Sequence, residues 1–159
     1  MNALANKLVT FRLGEDRFAA DVHAVERVLR YTSPTSVPDM PDYIEGVMDY
    51  QGRVVPLVNL RRRFELPTVA TNSETRTLIL NVSGEWIGVV VDSVSEVTPF
   101  DPAKVAPPPK LFRGLAGEYL KGIVRHGDKL VIYLDVEELL STTERIALQA
   151  AGTEALANG

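Results

Sequence analysis

The sequence contains no cysteine, which excludes disulfides and every thiolate metal site. Histidine is nearly as scarce. His23 and His126 are the only two, and neither has a second histidine or a suitably spaced carboxylate to complete a metal set. One tryptophan, five tyrosines and five phenylalanines are too few and too scattered to line a basic face for nucleic-acid stacking. Positive charge is in deficit as well. Seventeen basic residues against 21 acidic ones leave a net charge of −4, which argues against a general nucleic-acid or membrane surface. No run approaches ~18 consecutive apolar residues, so no membrane-spanning helix is expected. The opening MNALANKLVTF lacks the basic stretch and long apolar run of a signal peptide. The expectation is a soluble, cytoplasmic protein.

Catalytic signatures are missing too. There is no G-x-S-x-G, no Walker glycine loop and no G-x-G-x-x-G following a strand. Asp92 and Asp135 close apolar strands, where capping the next turn or helix accounts for them. No catalytic residue, no metal and no cofactor is therefore expected, and an enzyme is not the reading.

What is present is a run of short strands divided by turn residues. Val9, Phe11 and Leu13 alternate with Thr10 and Arg12, the period of a half-buried strand. Gly14-Glu15-Asp16 then turns the chain into Phe18-Ala19-Ala20. Further strands are expected over 54–60, 78–82, 86–91, 122–125 and 130–134. Pro56 lacks a ladder donor, so its strand should lie at an edge or carry a bulge. Two proline-rich stretches, 33–41 and 99–110, read as ordered surface loops, and 68–74 as a polar connector. Arg61-Arg62-Arg63 reads as a solvated turn between two core anchors, Leu60 and Phe64.

The C-terminus changes period. Val136, Leu139, Leu140, Thr143, Ile146 and Ala147 recur at helical spacing, and Ser141 with Glu144 forms a capping box where the helix restarts. Its apolar stripe is expected to cover a barrel end. Residues 153–159 are expected to fray.

An internal repeat ties these pieces together. Tyr43-Ile44-Glu45-Gly46-Val47 reappears as Tyr119-Leu120-Lys121-Gly122-Ile123, and each copy is followed by a glycine turn and an apolar strand. Asp21 with Val25, Arg27 and Val28 loosely echoes Asp92 with Val94, Glu96 and Val97. Two similar units of short strands, without long helices between them, favour two small barrels over a parallel sheet.

The string from Val37-Pro38-Asp39-Met40-Pro41-Asp42 through Tyr43–Val47, Gly52, Pro56, Leu60-Arg61, Phe64, Gly88–Asp92 and Tyr119–Ile123 resembles the CheW family, the coupling proteins of bacterial chemosensory arrays. The resemblance implies a mainly β fold of two intertwined five-stranded SH3-like barrels with short helices and a C-terminal helix. It implies one domain over 1–152, with halves changing over near 65–75 and elements exchanged between them. It also implies an adaptor that bridges the regulatory domain of a CheA-type histidine kinase and the cytoplasmic tips of chemoreceptors, in flagellar chemotaxis or in a pilus-motility or other array. The receptor-facing candidates it points to are Val25, Arg27, Val28, Gly46, Gln51 and Val94. The kinase-facing candidates are Gly52, Val54 and Arg76. Family members usually carry arginine where Gln51 stands and glutamate where Arg27 stands, so this chain departs from the pattern at both positions.

Overall fold

A computed structural model describes residues 6–112 and 114–158. Residues 1–5, at the start of the expected domain, and Gly159, at the end of the expected tail, lie outside the described residues. The strands are β1 (Lys7–Leu13), β2 (Asp16–Asp21), β3 (Val25–Arg30), β4 (Ile44–Tyr50), β5 (Arg53–Asn59), β6 (Arg76–Val82), β7 (Glu85–Val91), β8 (Ser93–Pro99), β9 (Leu111–Phe112), β10 (Leu115–Ala116), β11 (Leu120–His126) and β12 (Lys129–Leu134). Two helices, α1 (Leu60–Arg63) and α2 (Thr142–Asn158), complete the frame.

Ten of the strands form two five-stranded sheets, ordered β11-β12-β2-β1-β8 and β3-β6-β7-β5-β4. The exchange between them is reciprocal. The β1–β2 hairpin pairs with β8 from the second half of the chain, while the β6–β7 hairpin pairs with β3 from the first half. Each sheet curls until its edges meet through side chains. In the first barrel Glu96 and Thr98 on β8 face His126 on β11, at 3.6 and 3.4 Å. In the second, the Tyr31 hydroxyl just beyond β3 donates to Glu45 on β4 at 2.6 Å.

The sequence repeat is a structural one. β4 pairs with β5 through a bulge that skips Glu45, and β11 pairs with β12 through a bulge that skips Lys121. In both copies the glycine after the bulge meets a loop residue, giving the bridges Thr35–Val47 and Ala106–Ile123. The looser echo also holds: bulges skip Glu26 on β3 and Ser95 on β8, which makes Arg27 the counterpart of Glu96 and Val28 that of Val97.

Both prolyl stretches are thereby ordered loops pinned to a strand. Pro56 is placed differently from expectation. Its strand, β5, runs between β4 and β7 rather than at an edge, and the bulge lies in the partner β4. Val47 exchanges both backbone hydrogen bonds with Thr35, so the Val47–Pro56 pair needs none. The missing donor faces β7, where pairing starts only at Leu57.

One apolar core runs through both barrels. Phe11 and Phe18 of the first stack in sequence with Phe64 after α1 and with Tyr119, at centroid separations of 5.9, 6.0 and 5.2 Å. Leu60, Leu78, Leu80, Ile132 and Leu134 fill the space around them. α2 starts at the expected capping box: the Ser141 amide donates to Glu144 Oε1 at 2.8 Å, and the Glu144 amide to Ser141 Oγ at 3.0 Å. Leu148 enters the core, so the helix closes one end of the second barrel, but with a different face from the expected stripe: Thr143, Ile146 and Ala147 are exposed. The helix runs on past Gly152, through the stretch read as a tail, to Asn158. Within it Gly152 is buried, close to the side chains of Val47 and Val54.

Candidate docking surface

The expected receptor-facing residues fall in three places. Val25, Arg27 and Val28 lie on β3, an edge strand, with Arg27 exposed and Val28 41% exposed. A single row of partners, Arg27–Ile79–Gly88–Leu57–Gly46, crosses the second barrel from β3 to its other edge. Val25 and Val94, from different barrels, both pack against the shared core from its margin. Gln51 stands apart at the tip of the β4–β5 hairpin, at φ +50°, with its amide donating to the Tyr50 hydroxyl at 3.3 Å. Among the described residues no hydrogen bond or ion pair joins it to Arg27.

Gly46 has a reason of its own within the fold. A Cβ there would stand 2.2 Å from the Thr35 carbonyl oxygen, at a φ of +149°. The close approach is to the chain's own backbone.

The kinase-facing candidates are not brought together. Gly52, at φ +77°, and Val54 sit at the start of β5, beside the β6–β7 turn that Arg53 reaches through the Gly84 carbonyl at 3.1 Å. Arg76 begins β6 at the opposite end of the sheet, about 20 Å away at ~3.3 Å per residue. Its guanidinium is tied down by the Ser73 and Thr75 carbonyls at 2.8 and 3.0 Å. Val54 is also half covered by α2, whose Gln149 amide donates to the Val54 carbonyl at 2.8 Å.

The arginine run is not a solvated turn. Arg61 makes a two-pronged contact with Asp92, at 2.9 Å from Nε and 2.5 Å from Nη2, while the Gly14 amide donates to the same carboxylate at 2.7 Å. Those three residues belong to α1, the β7–β8 junction and the β1–β2 turn, so the contact clamps one barrel to the other. The Arg61 hydrogen bonds hold the Asp92 carboxyl below its ordinary range, against the opposing pull of burial. Arg62 donates to the Asp42 carbonyl at 3.1 Å.

Arg63 lies over the Tyr43 ring at 4.2 Å and near that of Tyr119 at 5.7 Å, with Glu144 at 3.4 Å. Tyr43 and Tyr119 are the repeat's paired residues, so the third arginine fills the seam between the two copies. Glu144 also accepts the Tyr43 hydroxyl hydrogen bond. Burial raises its carboxyl, but the Ser141 amide, Tyr43 and Arg63 together bring it below the ordinary value. Sequence reasoning found Glu144 as a cap and missed this second role, whose partners are distant along the chain. It names Glu96 and Val97 only as members of the repeat, although their counterparts Arg27 and Val28 are among the receptor-facing candidates. Val97 is 53% exposed on the edge strand β8.

Among the described residues no group of three or more His, Asp or Glu is placed to hold a metal. His23 lies within a 3-10 turn over Val22–Ala24 capped by Asp21, and His126 closes the first barrel. Among the described residues no helix is long and apolar enough to cross a membrane.

Paired barrels that exchange strands, share one core and leave valines exposed on the edge strands β3 and β8 define a two-barrel docking module. A sequence model of the CheW-like domain matches residues 7–144. The Chemotaxis protein CheW of Treponema pallidum is 32% identical over 142 residues, covering 87% of this chain and 84% of that protein. Protein FrzA of Myxococcus xanthus is 31% identical over 141 residues, covering 87% of each. The crystal structure of the scaffolding protein TtCheW from Thermoanaerobacter tengcongensis matches with a TM-score of 0.82 at 28% identity, covering 90% of this chain and 92% of that one. The chain belongs to the CheW-like domain family.

Proposed function

We propose that the chain is a non-catalytic coupling adaptor that holds a CheA-type histidine kinase to the cytoplasmic tips of chemoreceptors in a membrane-associated array. The observation that carries the reading is the CheW-like match over 7–144, on a two-barrel frame shared with a protein described as a scaffold. A receptor tip would meet the β3 edge and the junction of the barrels, through Val25, Arg27, Val28 and Val94, with Gly46 and Gln51 at its margins. Exposed valines beside charged residues suit such a surface, since burial of the apolar groups gives affinity and the charges tune encounter. The kinase regulatory domain would meet the β4–β5 end of the second barrel at Gly52 and Val54. Arg76, at the far end of β6, would belong to a separate contact.

Similarity to FrzA, a relative not named for chemotaxis, favours one second reading: the same coupling role in a non-flagellar pathway. The test is reconstitution from purified components. Kinase and receptor fragments that co-elute only when this chain is added are the expected result. Failure of both fragments to bind it at micromolar concentrations would remove the adaptor reading.

A further inference from the structure

The C-terminal helix is held in two unequal parts. Its first turns are anchored by Glu144 in the Tyr43–Arg63 seam and by Leu148 in the core. Arg145, itself buried, donates to the Val82 carbonyl at 3.1 Å. Beyond Leu148 the hold is slight. The Gln149 amide donates to the Val54 carbonyl, and Gly152 rests on Val47 and Val54. The other side chains turned toward the barrel, Ala151, Ala155 and Leu156, are only partly buried. A cleft of about 460 Å³ separates Ala151, Glu154 and Ala155 from Thr35–Pro38. A mid-helix glycine further weakens this segment as a helix. The matched family domain ends at residue 144, three residues into α2, so this loosely seated part lies outside it.

We propose that α2 from Gln149 onward is a displaceable cover on the β4–β5 face, competing with the kinase for the surface around Val54. The inference rests on the kinase-facing reading of Gly52 and Val54. A cover that is cheap to lift and that sits on a docking face lowers apparent affinity by the fraction of time it is closed. It sets that affinity without altering a contact residue.

The absence of cysteine permits a clean test. Val47→Cys with Gly152→Cys creates a single pair, keeps Val54 in the sequence with its Cγ1 2.8 Å from the new Cβ and so turned slightly aside in both redox forms, and places the two Cβ atoms 3.4 Å apart, close to the ~3.5–4.5 Å that a disulfide spans. Oxidised, the full-length double variant is locked shut; reduced, it is free. Titration calorimetry against the purified kinase regulatory domain is expected to show about tenfold weaker binding for the oxidised form than for the same protein after reduction. In Gly152→Leu, where the added side chain pries the helix from Val47 and Val54, binding is expected to be tighter than in the parent chain. Equal affinity of the oxidised and reduced forms overturns the cover while leaving the kinase reading intact. Tighter binding by the oxidised form overturns it too, because the helix would then be part of the contact. No binding by any form, with circular dichroism showing each one folded, overturns the kinase reading itself.

Discussion

At Gly46 and Gly122 the obstacle to a side chain is backbone, the carbonyls of Thr35 and Ala106, at 2.2 and 2.3 Å from an added Cβ. Backbone cannot swing aside, so the bridge must open. Gly46→Ala is expected to cost about 2–4 kcal/mol of unfolding free energy in a urea melt. Gly52→Ala, with nothing within 4 Å, should cost only ~1 kcal/mol for its positive φ. A reversal of that order would show that the bridge is not what demands glycine. The Asp92 carboxyl carries a pH prediction. Its folded-state pKa is depressed, chiefly by Arg61, so its stabilisation is fully present above the unfolded value of ~3.9 and is lost as pH falls through the folded value. The parent chain should therefore lose melting temperature more steeply than Asp92→Asn below about pH 4. Parallel curves would remove the clamp from the account. The departures at Arg27 and Gln51 are tested by restoring the usual pattern. Arg27→Glu with Gln51→Arg is expected to strengthen binding to a receptor tip of the common family type, and unchanged affinity would mark the pair as drift.

Glu144 decides how one whole element is seated, because it caps α2 and holds Arg63 and Tyr43 at the same time. Glu144→Ala is expected to cost about 1–2 kcal/mol and to shorten α2, seen as lost helical ellipticity before the main transition. An unchanged spectrum would mean that Arg145 and Leu148 seat the helix alone. The ease with which each element could be read in the sequence follows its burial. β1, β5, β6, β7 and β12 carry apolar residues at nearly every inward position and stood out at once. β3 and β8, with the sequences VERVLR and SVSEVTP, are edge strands exposed over most of their length, so neither period is clear. The distal part of α2 looked like a tail because its residues are small, and small size is what lets Gly152 approach the barrel. The arginine run looked solvated because Asp92, Tyr119 and Glu144 are far away in sequence and only the fold supplies them.

For the whole molecule, the repeat is legible in the residues themselves, whereas the exchange is expected only through the family resemblance, since no local pattern says which hairpin an edge strand will join. The exchange is expected to make the two barrels one folding unit. Cutting the chain in the 68–74 connector separates each hairpin from the strand that completes its sheet. Fragments 1–70 and 71–159 are thus expected to be unfolded alone and to regain a dispersed amide spectrum when mixed. Independent folding of either would show that the exchange is dispensable. The same topology sets an order of events during synthesis. The second barrel has all its strands once Val91 has been made, but the β1–β2 hairpin, made before any of them, cannot complete its own sheet until Leu134 follows. At about 5–20 residues per second that interval is roughly 2–9 s. Throughout it Leu8 and Ala19 lack Val131 and Tyr133, the β12 residues they cluster with in the finished fold, which makes the nascent hairpin the place where a ribosome-bound chaperone would be needed.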